Sequence, residues 1–176
     1  MKTTLYTLLF LIATSFSCQA QNLIPSCWVF KTSNGDTQYE FTVEFKDKGL
    51  CNFMLESKTL MQQDSNNKLL EHELHILLIA EGSFKLTNKD LISYTFNKDE
   101  VYMDFDVYMP NVPLEKRIDS ESAMKDYVRR NMTKADFINM LDDFLPSTGT
   151  FKINRLTRDE LQLENEIDVY DFEPIK

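Results

Sequence analysis

A period of two runs through most of this chain and decides its class of fold. Val101, Met103, Phe105, Val107 and Met109 alternate with Tyr102, Asp104, Asp106 and Tyr108. Extended backbone sends successive side chains to opposite faces, so this segment has one apolar face and one polar face. Tyr39, Phe41, Val43 and Phe45 alternate with Gln38, Glu40, Thr42 and Glu44 in the same way. Both segments read as half-buried β-strands.

Turn chemistry punctuates the pattern. Asn34-Gly35-Asp36 and Asp47-Lys48-Gly49 bracket the first of these strands, with glycines free to take positive φ. Cys51, Phe53 and Leu55 continue beyond, and Asp64-Ser65-Asn66-Asn67 reads as a loop. His75 to Ala80 is almost wholly apolar, and Gly82 marks a bend or bulge leading into Phe84 and Leu86. Asn88-Lys89-Asp90 turns the chain into Leu91 to Phe96, and Pro110 and Pro113 end the strand that starts at Val101. Strand signals return at Phe151 and Ile153. A turn at Thr157-Arg158-Asp159 then leads to Leu161, Leu163, Ile167 and Val169.

From Asp119 the period becomes helical. Ser120 is a good N-cap, and Met124, Tyr127, Val128 and Met132 follow at helical spacing. Thr133 with Asp136 resembles a capping box. Phe137, Met140, Leu141, Phe144 and Leu145 form a second apolar stripe, closed by Pro146 and Gly149. The expectation is a mainly β chain: an antiparallel meander of about eight strands with a helical pair, residues 117–146, inserted before the last strands. Closing such a sheet into a barrel removes its edges, and an eight-strand barrel is either filled by side chains or holds one small ligand.

The chain opens with Lys2 as its only charge before Leu8, Leu9, Phe10, Leu11, Ile12 and Ala13. That is the pattern of a secretory signal peptide, assigned to residues 1–20, leaving one domain over 21–176. Cys18 and Ala20 fit a small-x-small cleavage site with Gln21 as the new N-terminus; alternatively Cys18 is the lipidated cysteine of a bacterial lipobox. The protein is therefore expected in the periplasm or outside the cell, and at a membrane only if Cys18 carries lipid. No apolar run reaches the about 18 residues that span a bilayer as a helix. A formal charge of −9 argues against a nucleic-acid partner, which calls for clustered Lys and Arg.

Residues with chemistry are sparse. Export permits a disulfide between Cys27 and Cys51, which are otherwise two small buried hydrophobes. His72 and His75, three apart in a strand pattern, point to opposite faces and make no metal site. Asp104, Asp106, Glu164, Glu166 and Asp168 lack EF-hand spacing and a poised partner. Neither His accompanies a Gly-x-Ser-x-Gly turn. The expectation is a protein with no catalytic residues, metal or cofactor.

Four stretches carry a resemblance. They are Trp28 in a first strand, Phe41 to Gly49 ending in Phe-Lys-Asp-Lys-Gly, Gly82-Ser83-Phe84-Lys85-Leu86 running to Asn88-Lys89-Asp90-Leu91, and Phe151 through Ile153, Leu156 and Thr157 to Leu161 and Leu163. Together they resemble the small exported lipocalin-like, calycin-type β-barrel proteins of Bacteroidetes. The resemblance covers most of the chain after the leader except residues 111–148. It departs at Ser26-Cys27, where Gly usually precedes the Trp, and at Lys48-Gly49, where Asp-Gly is commoner. It implies a barrel with Trp28 plugging the closed end, and it supplies no catalytic residues.

A barrel of that kind is expected to hold a small apolar or amphipathic ligand. The candidate lining is Tyr39, Phe41, Val43, Phe45, Phe53, Phe84, Met103 and Phe105, with Phe137 and Met140 in the cover. Met124, Met132 and Phe144 extend that Met- and Phe-rich helical stripe. The alternative is a packed barrel that acts through its acidic surface or helical insertion in the cell envelope.

Overall fold

The computed structural model describes Leu23 and residues 26–65 and 68–175, and among these the side chains outside 62–70. The expected leader, Cys18 and both candidate processing sites lie outside the described residues, as do Asn66 and Asn67 of the expected loop. The strands are β1 (Ser26–Asn34), β2 (Thr37–Phe45), β3 (Leu50–Ser65), β4 (Lys68–Asn88), β5 (Leu91–Phe96), β6 (Tyr102–Tyr108), β7 (Thr148–Leu156), β8 (Leu161–Glu164) and β9 (Val169–Pro174). Between β6 and β7 come α1 (Leu114–Asn131) and α2 (Lys134–Asp142).

Eight strands close a ring in the order β1-β2-β3-β4-β5-β7-β8-β9, every neighbouring pair antiparallel, with β9 returning to β1. The ninth, β6, flanks the ring. The 21 residues of β4 make this possible: Gly82–Asn88 pair with β5, whereas Glu73–Ile79 pair with β6. On its other edge β4 pairs with all of β3, and β3 reaches past β2, whose pairing ends at Thr59. The β3–β4 hairpin is thus an arm longer than the barrel wall.

The register confirms the inward faces read from alternation. Trp28, Val43, Phe53 and Ala80 form one cross-strand row; Phe41, Leu55, Leu78 and Met103 form the next; Tyr39, Ser57, Ile76 and Phe105 form a third. Side chains in such rows pack directly against one another, which is how a sheet face is stabilised. Gly35 takes φ +58 in the two-residue turn between β1 and β2, as Asn34-Gly35-Asp36 predicts.

Several expectations are corrected. Gly82 is not a bulge: it pairs regularly with Cys51 and Phe96, and the irregularity lies between Leu86 and Asn88. A Cβ on Gly82 would stand 2.5 Å from the Thr95 carbonyl oxygen, so close backbone approach explains the glycine. Helix α1 starts at Leu114, directly after Pro113, and Ser120 is an interior position; Pro113 has φ −53 and lacks the N–H that a helix start leaves unpaired. Thr133 and Asp136 do form a capping box: the Asp136 amide donates to Thr133 Oγ1, and the Thr133 amide to Asp136 Oδ2. Gly149 lies in β7, and Ile167 is exposed between β8 and β9. Cys27 and Cys51 are unpaired. Cys27 sits opposite Glu44 on the outer face and Cys51 opposite Phe45 on the inner face, so their side chains diverge.

Candidate binding site

The lumen is occupied by the protein's own side chains. Phe41, Val43 and Phe53 are 0% exposed, and so are Ile92, Phe151, Leu161 and Leu163. Phe45 and Phe84 meet edge to face with centroids 5.0 Å apart, and Phe53 packs against Tyr94 and Phe96. Trp28 is buried beside this core, its indole Nε1 donating to Ser26 Oγ at 2.8 Å.

The chain beyond α2 stops one end of the barrel. Leu145 is fully buried, and Phe144 rests on Tyr39 and Phe41 with centroids 5.2 and 6.0 Å away. The Phe144 carbonyl accepts from Asn165 Nδ2 at 3.1 Å and from the Tyr170 hydroxyl at 3.0 Å, which ties the stopper to β9 and the turn before it. Lys98 and Asp142 pair at 2.6 Å, and Lys134 Nζ donates to the Asp99 carbonyl, so α2 is also held to the short turn before β6.

α1 lies along β6 in the opposite direction. Lys125 pairs with Asp106 at 2.6 Å, Glu121 Oε1 accepts from the Met109 amide, and the Arg129 guanidinium stands over the Phe105 ring. Phe105 and Phe137 stack with centroids 5.8 Å apart. Met103 and Met140 are half-buried against the same core. The eight candidate lining residues and the two of the cover, Phe137 and Met140, thus lie in or against one packed core, with Tyr39, Phe45 and Phe105 also reaching separate surface depressions.

One open space lies between α1 and the β3–β4 arm. A cleft of about 450 Å³ is lined by Met61, His72 and Leu74 from the arm and by Met124, Tyr127, Val128, Asn131 and Met132 from α1 and its C-terminal cap. Met61 and His72 are cross-strand partners on the inward face. His72 is 5% exposed and its Nδ1 has no hydrogen-bond partner among the described residues. None of the ten candidates lines this cleft. The helical stripe did point to Met124 and Met132, whereas His72 carried no signal beyond being one of two histidines.

The carboxylates weighed as sites serve the sheet. Lys125 holds the Asp106 carboxyl below its ordinary range, chiefly by hydrogen bonding, and Asn154 with Lys152 does the same for Glu164. His75 turns to the outer face, where its Nε2 lies 2.9 Å from Glu73. Among the described residues no group of three or more His, Cys, Asp or Glu side chains is placed to hold a metal.

No protein-family model matches the chain, and no curated protein matches it. Among solved structures it is similar to an uncharacterized protein from Bacteroides eggerthii DSM 20697, at 18% identity and a TM-score of 0.38, over 85% of this chain and 98% of that one. The barrel itself is established by the strand pairing.

Proposed function

We propose that this is an exported, non-catalytic lipocalin-like protein that binds a small apolar or amphipathic molecule, and that the molecule lies beneath α1, not in the lumen. The cleft of about 450 Å³ between α1 and the β3–β4 arm is the observation that supports this most directly. Its volume falls in the range of small-molecule sites, which are mostly apolar with few polar groups. Three methionines in its lining give it surfaces that adapt to irregular shapes. Export rests on the leader pattern, and the lack of catalysis on the absence of any nucleophile–base motif from the sequence.

Uptake of N-phenylnaphthylamine, a neutral apolar fluorophore, tests the site. Met124→Trp fills the cleft from a half-buried helix position, so uptake should weaken about tenfold or more while the thermal midpoint barely moves. Undiminished uptake in that variant would remove the cleft from consideration. The filled lumen favours the alternative, a packed barrel acting through its acidic surface or helical pair, and a wild-type protein that takes up no probe would support it.

A further inference from the structure

We infer that His72 reads the polar head of the bound molecule and makes the cleft selective for an amphiphile ending in a hydroxyl group. This rests on the binding function proposed above and adds the class of ligand. His72 occupies an inward position on β4, two and four residues before Leu74 and Ile76 in the alternation, where an apolar residue would be the ordinary choice. It is 5% exposed, and its Nδ1 has no partner among the described residues. A buried polar atom left unpaired costs about 1–3 kcal/mol, so native interiors rarely keep one without a use. The same ring lines the apolar cleft beneath α1, where a ligand group is the partner at hand.

The rest of the lining says which group. Met61, Leu74, Met124, Val128 and Met132 are apolar, and Tyr127 and Asn131 are uncharged, with the Asn131 amide already donating to the Tyr127 carbonyl. No Asp, Glu, Lys or Arg lines the cleft to pair with a carboxylate or ammonium head, and such a pair is what offsets the hydration a buried charge loses. A hydroxyl both donates and accepts, so it satisfies Nδ1 in either tautomer of the ring. Nδ1 is closed off from solvent by the wall, so a ligand hydroxyl reaches it only once the ring turns about Cβ–Cγ. The apolar chain of the ligand then lies along the methionines.

Displacement of bound N-phenylnaphthylamine by decanol, chlorodecane and decanoate tests this, because the three share one chain length and differ in the head. In the wild type decanol should displace the probe at about tenfold lower concentration than chlorodecane and should also outcompete decanoate. His72→Phe should bring decanol and chlorodecane level, whatever its own affinity for the probe, and raise the thermal midpoint by removing the orphaned nitrogen. His72→Gln, which keeps a donor and an acceptor, should retain part of the preference. Equal displacement by decanol and chlorodecane in the wild type overturns the inference whether or not the variants fold, and so does a preference that survives His72→Phe. Tighter binding of decanoate overturns the choice of hydroxyl. Each of these leaves the binding function standing, whereas a wild type that takes up no probe removes both.

Discussion

Gly149 is glycine because the Tyr94 ring fills the space a side chain would need. A Cβ there would meet the Tyr94 hydroxyl oxygen at 2.5 Å and its Cζ at 2.9 Å. Tyr94 cannot back away, since it stacks on Phe151 with centroids 4.8 Å apart and faces Phe53 at 5.3 Å. Gly149→Ala should therefore destabilise the fold by about 1–3 kcal/mol, the usual cost of overpacking, as read by chemical denaturation; an unchanged midpoint would show that the ring has somewhere to go. Cys51 makes a prediction about pH. It is 1% exposed, and burial pushes its thiol up to about 12, with the Lys46 ammonium opposing weakly. The unfolded chain ionises that thiol near the ordinary value of about 8.5. Its contribution to stability is thus complete below that pH and is lost as pH rises toward 12. Burial raises the Tyr94 and Tyr170 hydroxyls too, adding a loss of the same sign at higher pH. Cys51→Ala should flatten the decline between about pH 8 and about pH 10, and an unaltered slope would assign it to other groups.

At the scale of elements, β6 shows what its acidic face is for. Among the described residues it pairs with β4 alone, so its far edge offers unpaired amides to another strand. The Phe105 amide donates to Asp104 Oδ1, the Val107 amide to Asp106 Oδ1 and the Met109 amide to Glu121 of α1. Every second amide is capped by a carboxylate, which blocks a docking strand. Replacing Asp104 and Asp106 together by Ala should cost little stability, as exposed charges do, yet produce concentration-dependent self-association in light scattering; a strictly monomeric double variant would show that α1 alone protects the edge. The alternation of β2 and β6 was legible in the sequence because each buries one face. The length of β3 and β4 was not, because Ser57 and His72 interrupt the apolar positions of the arm. The start of α1 was hidden for a related reason: Leu114 and Ile118 are 74% and 76% exposed, so its apolar stripe gains a buried side only from Met124 onward.

Across the whole molecule, a ring of eight strands is plugged by its own chain. Alternation tells which side chains face inward, but it says nothing of how much space remains between them. That depends on neighbours far apart in sequence, among them Phe144 and Leu145 from the inserted segment, and so the eight residues read as a ligand lining, with Phe137 and Met140 of the cover, lie in or against the packed core. The open cleft forms where α1 crosses the arm beyond the ring, a juxtaposition no local pattern encodes. Only the methionines of the helical stripe hinted at it. Those methionines also supply the most direct test of where a ligand goes. With isotope-labelled methionine methyl groups observed by NMR during titration with N-phenylnaphthylamine, Met61, Met124 and Met132 should shift, while Met54 on the outer face and Met103 beside the core should stay in place. Shifts at Met103 and Met140 with the three cleft methyls silent would put the ligand in the barrel and contradict the cleft.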